Sequence, residues 1–120
     1  MKRSAIILLL FFFAIGSSLA LAQVKIESNK FLANTSTPGY TLNQNTGDRS
    51  VTIEVTFDKP FDKKPTILLT VTLLDADTKT NIRYSVEATS ISRDGFTLKI
   101  STWSDTKISG IGGNWVAYSE

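Results

Sequence analysis

The sequence predicts an all-β fold, a single domain in which five or six short antiparallel strands form a sandwich or a small barrel. Three observations lead to this prediction. Apolar and polar residues alternate over short segments, turn residues separate these segments, and β-branched residues are abundant while no helical periodicity appears after residue 22. The N-terminal segment 1–22 is predicted to be a signal peptide, and the 98 residues that follow it are enough for one domain.

The N-terminal segment predicts export from the cell. Two basic residues precede an apolar run over residues 5–15, and small residues lead up to Ala22. This order is that of a secretory signal peptide over residues 1–22, with cleavage between Ala22 and Gln23. The run is shorter than the roughly 20 residues that a membrane span needs, so we expect a secreted protein without membrane insertion.

Charge and composition narrow the class of function. Residues 1–22 hold two of the 13 Lys and Arg residues and none of the 11 Asp and Glu residues, so the remainder has a formal net charge of zero. No basic patch for nucleic acid is therefore expected. The chain has no His and no Cys, which removes the usual general base, metal ligand and nucleophilic pairs. We therefore expect a binding protein without cofactor or metal, not an enzyme, and a core small enough to benefit from oligomerisation.

The first part of the domain, residues 23–50, is predicted to hold a short strand at 24–26 and a long polar surface loop at 34–50. Pro38-Gly39 is a strong turn signal within that loop. Asn34-Thr35-Ser36 is a possible N-glycosylation site.

The main strands are predicted within residues 51–120. Val51, Ile53, Val55 and Phe57 alternate with polar residues and define the first of them. Four more are predicted at 66–74, 82–91, 96–103 and 107–118. Segment 66–74 is almost entirely apolar or Thr, which predicts burial on both faces. Three glycines in the last strand predict a bulge or a close backbone approach.

The polar loop at 75–81 begins like a calcium-binding loop. It lacks the glycine at the sixth position and the glutamate at the twelfth. A turn is therefore the favoured interpretation.

Alternation places Arg83 and Trp103 on the outward faces of their predicted strands. An outward Trp offers an aromatic platform on which a sugar ring can stack, and Arg offers several fixed donors to hydroxyl groups. The alternatives are an interface or ordinary surface Trp, and an Arg that is solvated or paired with Glu87. Asp48, after Gly47, can accept hydrogen bonds from two neighbouring hydroxyls, or can simply form a turn. Trp115 and Tyr118 are interpreted as core or subunit-interface aromatics.

Residues 57–118 resemble the H-type lectin domain of snail agglutinins and of the C-terminal part of discoidins. The matching segments, in order, are Phe57-x-x-Pro60-Phe61 with Pro65, Ile67-Leu68-Leu69 with Leu74-Asp75, Asn81-Ile82-Arg83, Gly95-Phe96, Thr102-Trp103-x-x-Thr106-Lys107, and Asn114-Trp115-Val116. No single segment is specific, but their order and spacing together are.

The resemblance implies a six-stranded antiparallel β-fold that assembles as a parallel homotrimer. It also implies metal-free binding of galactose or N-acetylgalactosamine glycans at clefts between subunits. The family's arginine falls on Arg83 and its tryptophan on Trp103, while Asp48 with Gly47 best matches the loop aspartate. Multivalent binding would then serve cell adhesion, agglutination or defence.

Two positions depart from the family pattern. Ser104 replaces a His that contacts the ligand in snail members, and Ser109 replaces a Tyr. These changes motivate an alternative function, a structural trimerisation or adhesion module whose sugar site has decayed.

Overall fold

The computed structural model describes residues 24–120, so the predicted signal peptide and the Ala22/Gln23 cleavage site lie outside the described residues. The described chain is all-β and contains six antiparallel strands, as the family resemblance implies. Their bounds are β1 Lys25–Asn34, β2 Arg49–Thr56, β3 Thr66–Ala76, β4 Ser85–Thr89, β5 Gly95–Thr102 and β6 Ile108–Ser119. In this part of the chain, no helix has the length and hydropathy to cross a membrane.

The strands form two three-stranded sheets, with the orders β1-β6-β3 and β2-β5-β4. Every neighbouring pair is antiparallel. The core lies between the sheets and is filled by alternate residues of each strand. Phe96, Leu98 and Ile100 are buried there, which confirms the predicted inward face of β5. Trp115 is also a core residue, packed edge-on against Phe96.

The prediction that β3 is buried on both faces is wrong. Its side chains alternate between partly buried and exposed, and Leu68 is 54% exposed. The strand lies at the edge of a two-layer fold, so only its inward face meets the opposite sheet. An apolar composition alone does not distinguish such a strand from one covered on both sides.

The predicted strand at 82–91 is wrong in length, because β4 spans only Ser85–Thr89. The backbone of Arg83 bonds to side chains instead of to a neighbouring strand. Its N–H donates to Thr106 Oγ1 at 3.2 Å, and its carbonyl accepts from Thr102 Oγ1 at 2.5 Å. Arg83 therefore precedes the strand, and period-2 alternation does not set its direction. β5 likewise ends at Thr102, so Trp103 is the first residue beyond it.

The first strand is longer than predicted, since β1 pairs with β6 over its full ten residues. The predicted close backbone approach in the last strand is confirmed at Gly113. A Cβ atom there would lie 1.7 Å from the Thr70 carbonyl oxygen of β3. Two register shifts separate β3 from regular pairing with β6. The shift between Val71 and Leu73 leaves an extra residue in β3, and the shift between Asp75 and Ala76 leaves Ser109 as an extra residue in β6.

The topology gathers three connections at one end of the sandwich. Antiparallel pairing places the end of β1, β3 and β5 beside the start of β2, β4 and β6. The loop 35–48, the loop 77–84 and the turn 103–107 therefore share this end. Every sugar-binding residue predicted from the sequence lies in one of the three.

Candidate functional site

The loop 35–48 is bonded to the turn 103–107. The Gly47 N–H donates to the Ser104 carbonyl at 2.9 Å, and the Ile108 N–H donates to the Leu42 carbonyl at 2.9 Å. The Lys107 ammonium also donates to the Asn45 carbonyl. These bonds join two segments that are more than fifty residues apart in the sequence. They fix Asp48 beside Trp103.

Both segments turn through left-handed backbone conformations. The φ angle is 81° at Gly47, 61° at Asn45 and 60° at Ser104. Glycine adopts this conformation without steric cost, which explains why Gly47 precedes the predicted aspartate. At Ser104 the same conformation marks a tight turn directly after Trp103.

Arg49 is the residue that sequence reasoning missed. Its side chain is buried, with 8% of the residue exposed, and the guanidinium donates to five backbone carbonyls. These acceptors belong to Gly47, Leu42, Gln44, Thr106 and Ser104.

Arg49 therefore holds both segments of the site in place by donating hydrogen bonds to their backbone carbonyls. The sequence held one signal for this role. Arg49 has the same parity as Val51 and Ile53, so the alternation that predicts the strand also points its side chain inward.

An open cavity of about 300 Å³ lies where these segments meet the β2-β5-β4 sheet. Its lining consists of Asp48, Arg49, Ser50, Lys99, Ser101, Thr102 and Trp103. Trp103 is 40% exposed, and Asp48 is exposed at the rim. The cavity thus combines an aromatic ring, a carboxylate, an ammonium group and hydroxyls. Such a set suits a hydroxylated ring that has one apolar face.

Arg83 does not line this cavity. Its guanidinium donates to Asp105 Oδ1 at 2.9 Å. The sequence offered two alternatives to sugar binding, a solvated Arg83 and a pair with Glu87, and the ion pair with Asp105 is neither of them. Its backbone bonds to Thr102 and Thr106 hold it beside the turn that carries Trp103. The structure therefore brings Asp48 and Trp103 to one cavity and leaves the Arg83 side chain next to the turn, occupied by an acidic partner.

Three other residues considered in the sequence, Asn34, Asp77 and Ser109, do not line the cavity. Asn34 ends β1, and its side-chain oxygen accepts from the Ser36 N–H at 2.9 Å. Asp77 forms a turn by accepting from the Lys79 N–H at 2.9 Å, as the turn interpretation of this loop predicts. Ser109 is exposed near the start of β6. Within residues 24–120 no group of three or more potential metal ligands is present.

Tyr40 anchors the long loop to the core. The Tyr40 hydroxyl donates to the Ile108 carbonyl at 2.6 Å. Burial, together with the charge of Asp75, raises the pKa of Tyr40 to about 12. The neutral phenol is therefore the form that this packing favours.

The chain belongs to the H-type lectin domain family, which matches residues 52–118. The family is one of carbohydrate-binding domains, and the match covers β3 to β5 and most of β2 and β6. Loop 35–48, which carries Gly47 and Asp48, lies outside the matched residues.

Similar proteins come from a bacterium, a slime mould and a phage. The chain is 35% identical over 71 residues to "ATP synthase subunits region ORF 7" of Fuscovulum blasticum, which covers 59% of this chain and 62% of that protein. Recombinant discoidin II of Dictyostelium discoideum superposes with a TM-score of 0.72 at 22% identity, covering 82% of this chain and 38% of discoidin II.

The tailspike protein gp49 of Pseudomonas phage LKA1 gives a TM-score of 0.55 at 24% identity, covering 79% of this chain and 15% of gp49. At these identities the two structures establish a shared fold. The chain spans less than two thirds of the length of each of these three proteins.

Proposed function

We propose that this protein is a secreted lectin that binds galactose or N-acetylgalactosamine glycans, with residues 1–22 removed as a signal peptide. The cavity that unites Asp48 and Trp103 carries the proposal. The indole supplies an apolar face for the sugar ring, and the carboxylate supplies acceptors for two adjacent hydroxyls. Gly47 and Ser104 shape the two turns that present these side chains. The binding is non-catalytic and uses no metal.

We further propose that the lectin acts as a homotrimer with its sites at the clefts between subunits. The outer face of the β1-β6-β3 sheet supports association, because Ile26, Leu32, Leu68 and Leu73 are exposed there. Large exposed apolar patches favour contact with another protein surface. Three weak sites on one assembly raise the avidity by about 10²–10⁴, which suits adhesion, agglutination or defence.

Arg83 can contribute to this site only if its ion pair with Asp105 opens. Its guanidinium is then free to donate hydrogen bonds to sugar hydroxyls. Both side chains of that ion pair are partly exposed, so the pair contributes about 0–1 kcal/mol and can open at small cost. Asp105→Asn should therefore leave folding intact and strengthen sugar binding if Arg83 contacts the ligand.

The second candidate function is a structural trimerisation or adhesion module with a decayed sugar site. The engagement of Arg83 by Asp105, together with Ser104 and Ser109, favours it. A wild-type protein that trimerises and binds no glycan on an array would support this function and contradict the lectin.

The decisive experiment is titration calorimetry of the mature protein with galactose and N-acetylgalactosamine. Trp103→Ala and Asp48→Ala should each weaken binding by more than about 1 kcal/mol, because each removes a contact to the ring. Asp62→Ala, which removes the carboxylate of an exposed residue at the other end of the sandwich, is the matched control for Asp48→Ala. Chelation with EDTA should leave the affinity unchanged, and N-terminal sequencing of secreted protein should begin at Gln23.

The proposed site is wrong if folded Trp103→Ala and Asp48→Ala proteins bind as tightly as wild type. Circular dichroism establishes that each variant is folded. The export proposal is wrong if sequencing of secreted protein reads from Met1.

A further inference from the structure

The outer face of the β2-β5-β4 sheet is polar where it adjoins Trp103. Antiparallel register places Ser50, Ser101 and Ser85 in one row across the three strands. The next row consists of Thr52, Lys99 and Glu87. The outer face of the other sheet carries exposed Ile26, Leu32, Leu68 and Leu73. The face that adjoins the candidate site is therefore the one rich in hydroxyl groups.

The cavity extends onto this face. Ser50, Lys99 and Ser101 line it together with Asp48 and Trp103. A ligand seated on Trp103 and larger than one sugar ring would thus continue along the sheet, over the serine hydroxyls and towards Lys99.

Lys99 brings a positive charge into the cavity, and the Asp48 carboxylate that also lines the cavity lies outside ion-pair distance of it. Lys99 as a residue is partly buried, and the ion pair between Arg83 and Asp105 is the only one within residues 24–120. Glu87 is its cross-strand neighbour on β4 but does not line the cavity. An ammonium group in a partly desolvated cavity attracts an anion more strongly than one in open solvent.

We propose that Lys99, with Ser50 and Ser101, forms a second subsite that binds a sugar unit bearing a carboxylate or a sulfate. This inference rests on the proposed function, since the second unit is joined to the galactose at Trp103. The charges fix the order of the two units. Asp48 at the rim repels an anion and accepts from neutral hydroxyls, whereas Lys99 and the serines donate to anionic oxygens.

The test compares galactose with two-unit ligands that end in galactose and differ only in the second ring. One ligand is neutral, one carries a sulfate ester and one carries a uronic carboxylate. Calorimetry with the mature wild-type protein should show about fivefold tighter binding of an anionic ligand than of the neutral one, as expected for one charge-assisted contact in an open site. The difference should shrink as NaCl is raised from about 50 mM to about 500 mM.

Lys99→Gln should remove this preference, so that the affinity ratio between the anionic and the neutral two-unit ligands falls to about one. Lys64→Gln is the matched control, because it makes the same charge change at an exposed position in the connection 57–65, at the other end of the sandwich. It should keep the full preference. A gain for the sulfate ligand alone, or for the carboxylate ligand alone, identifies which anion the subsite takes.

Two results would overturn the subsite and leave the lectin function intact. They are galactose binding with no preference for either anionic ligand, and a preference that survives Lys99→Gln. Binding of none of these ligands by folded wild-type protein would instead contradict the proposed function, and the subsite with it.

Discussion

Arg49 shows how a single buried side chain organises the candidate site. A guanidinium is normally buried with a carboxylate, and here carbonyl groups of two loops take that place. Leaving a buried carbonyl without its donor costs about 1–3 kcal/mol. The orientation of Asp48 and Trp103 therefore depends on a residue whose polar atoms face the interior of the loops.

Arg49→Lys should lower the free energy of unfolding by about 2–4 kcal/mol, because a lysine cannot reach carbonyls on both loops at once. The same variant should weaken galactose binding, since the loop that carries Asp48 loses its anchor. Urea denaturation and calorimetry measure the two effects.

Arg93→Lys is the control for Arg49→Lys. Arg93 is exposed and its side chain donates to one carbonyl, that of Phe61, at 2.9 Å. Its replacement should change the stability by less than about 0.5 kcal/mol. Equal losses in the two variants would contradict the anchoring role of Arg49.

Tyr40 predicts how stability depends on alkaline pH. Below pH 10 the phenol is protonated in both the folded and the unfolded chain, so it adds no pH dependence. Above pH 10 the unfolded chain ionises first, because the folded pKa is raised to about 12. The free energy of unfolding should therefore fall as the pH rises from 10 to 12. Urea denaturation at about pH 8 and about pH 11 measures the loss.

Tyr40→Phe cannot ionise and should lose less stability over the same pH interval. The variant also lacks the hydrogen bond to Ile108, so it should be less stable than wild type at pH 8. Identical alkaline losses in the two proteins would show that ionisation of Tyr40 does not cause the decline.

At the scale of elements, β6 determines how closely the strands of its sheet approach. It is the central strand of the β1-β6-β3 sheet and carries three of the chain's seven glycines. At Gly113 the backbone of β3 occupies the space where a Cβ atom would lie. At Gly110 the nearest atom to such a Cβ, a side-chain carbon of Leu73, is 3.8 Å away.

Gly113→Ala should destabilise the protein by more than about 3 kcal/mol or prevent folding, because β3 would have to separate from β6. Gly110→Ala, in the same strand, should change stability by less than about 1 kcal/mol. Thermal unfolding followed by circular dichroism compares them. A Gly113→Ala protein as stable as Gly110→Ala would contradict the close approach.

At the scale of the whole molecule, the two sheets present outer faces of opposite character. The β1-β6-β3 sheet exposes leucine and isoleucine, whereas the outer residues of β2 and β5 are Ser, Thr, Lys and Glu. A trimer that covers the apolar face would bury surface that a domain of this size cannot cover by itself.

Leu68→Lys should turn the proposed trimer into a monomer at micromolar concentration, because it places a charge within the apolar face. Sugar binding should fall with it, since the proposed sites need two subunits. Light scattering and calorimetry measure the two quantities. Thr56→Lys, an exposed position on β2, introduces the same charge on the other sheet and should preserve the assembly.

A wild-type monomer, or a Leu68→Lys trimer, would contradict assembly through the apolar face. A monomer that binds galactose as tightly as wild type would show that the site lies within one subunit.

The sequence by itself determined the fold class, the inward faces of β2 and β5, and the family. These follow from alternation and from the order of short motifs, because a period of two residues directly records which face of a strand is buried. The sequence also identified Asp48, Gly47, Trp103 and Ser104, which come together at one end of the sandwich.

Only the tertiary structure decided where β4 begins, that β3 has an exposed face, that Arg83 pairs with Asp105 and that Arg49 joins two distant loops. Each depends on which backbone and side-chain groups meet across the fold. The Arg49 acceptors, for example, extend from Leu42 to Thr106. Local patterns record burial along a strand, but contacts between residues far apart in the chain exist only after the sheets have packed together.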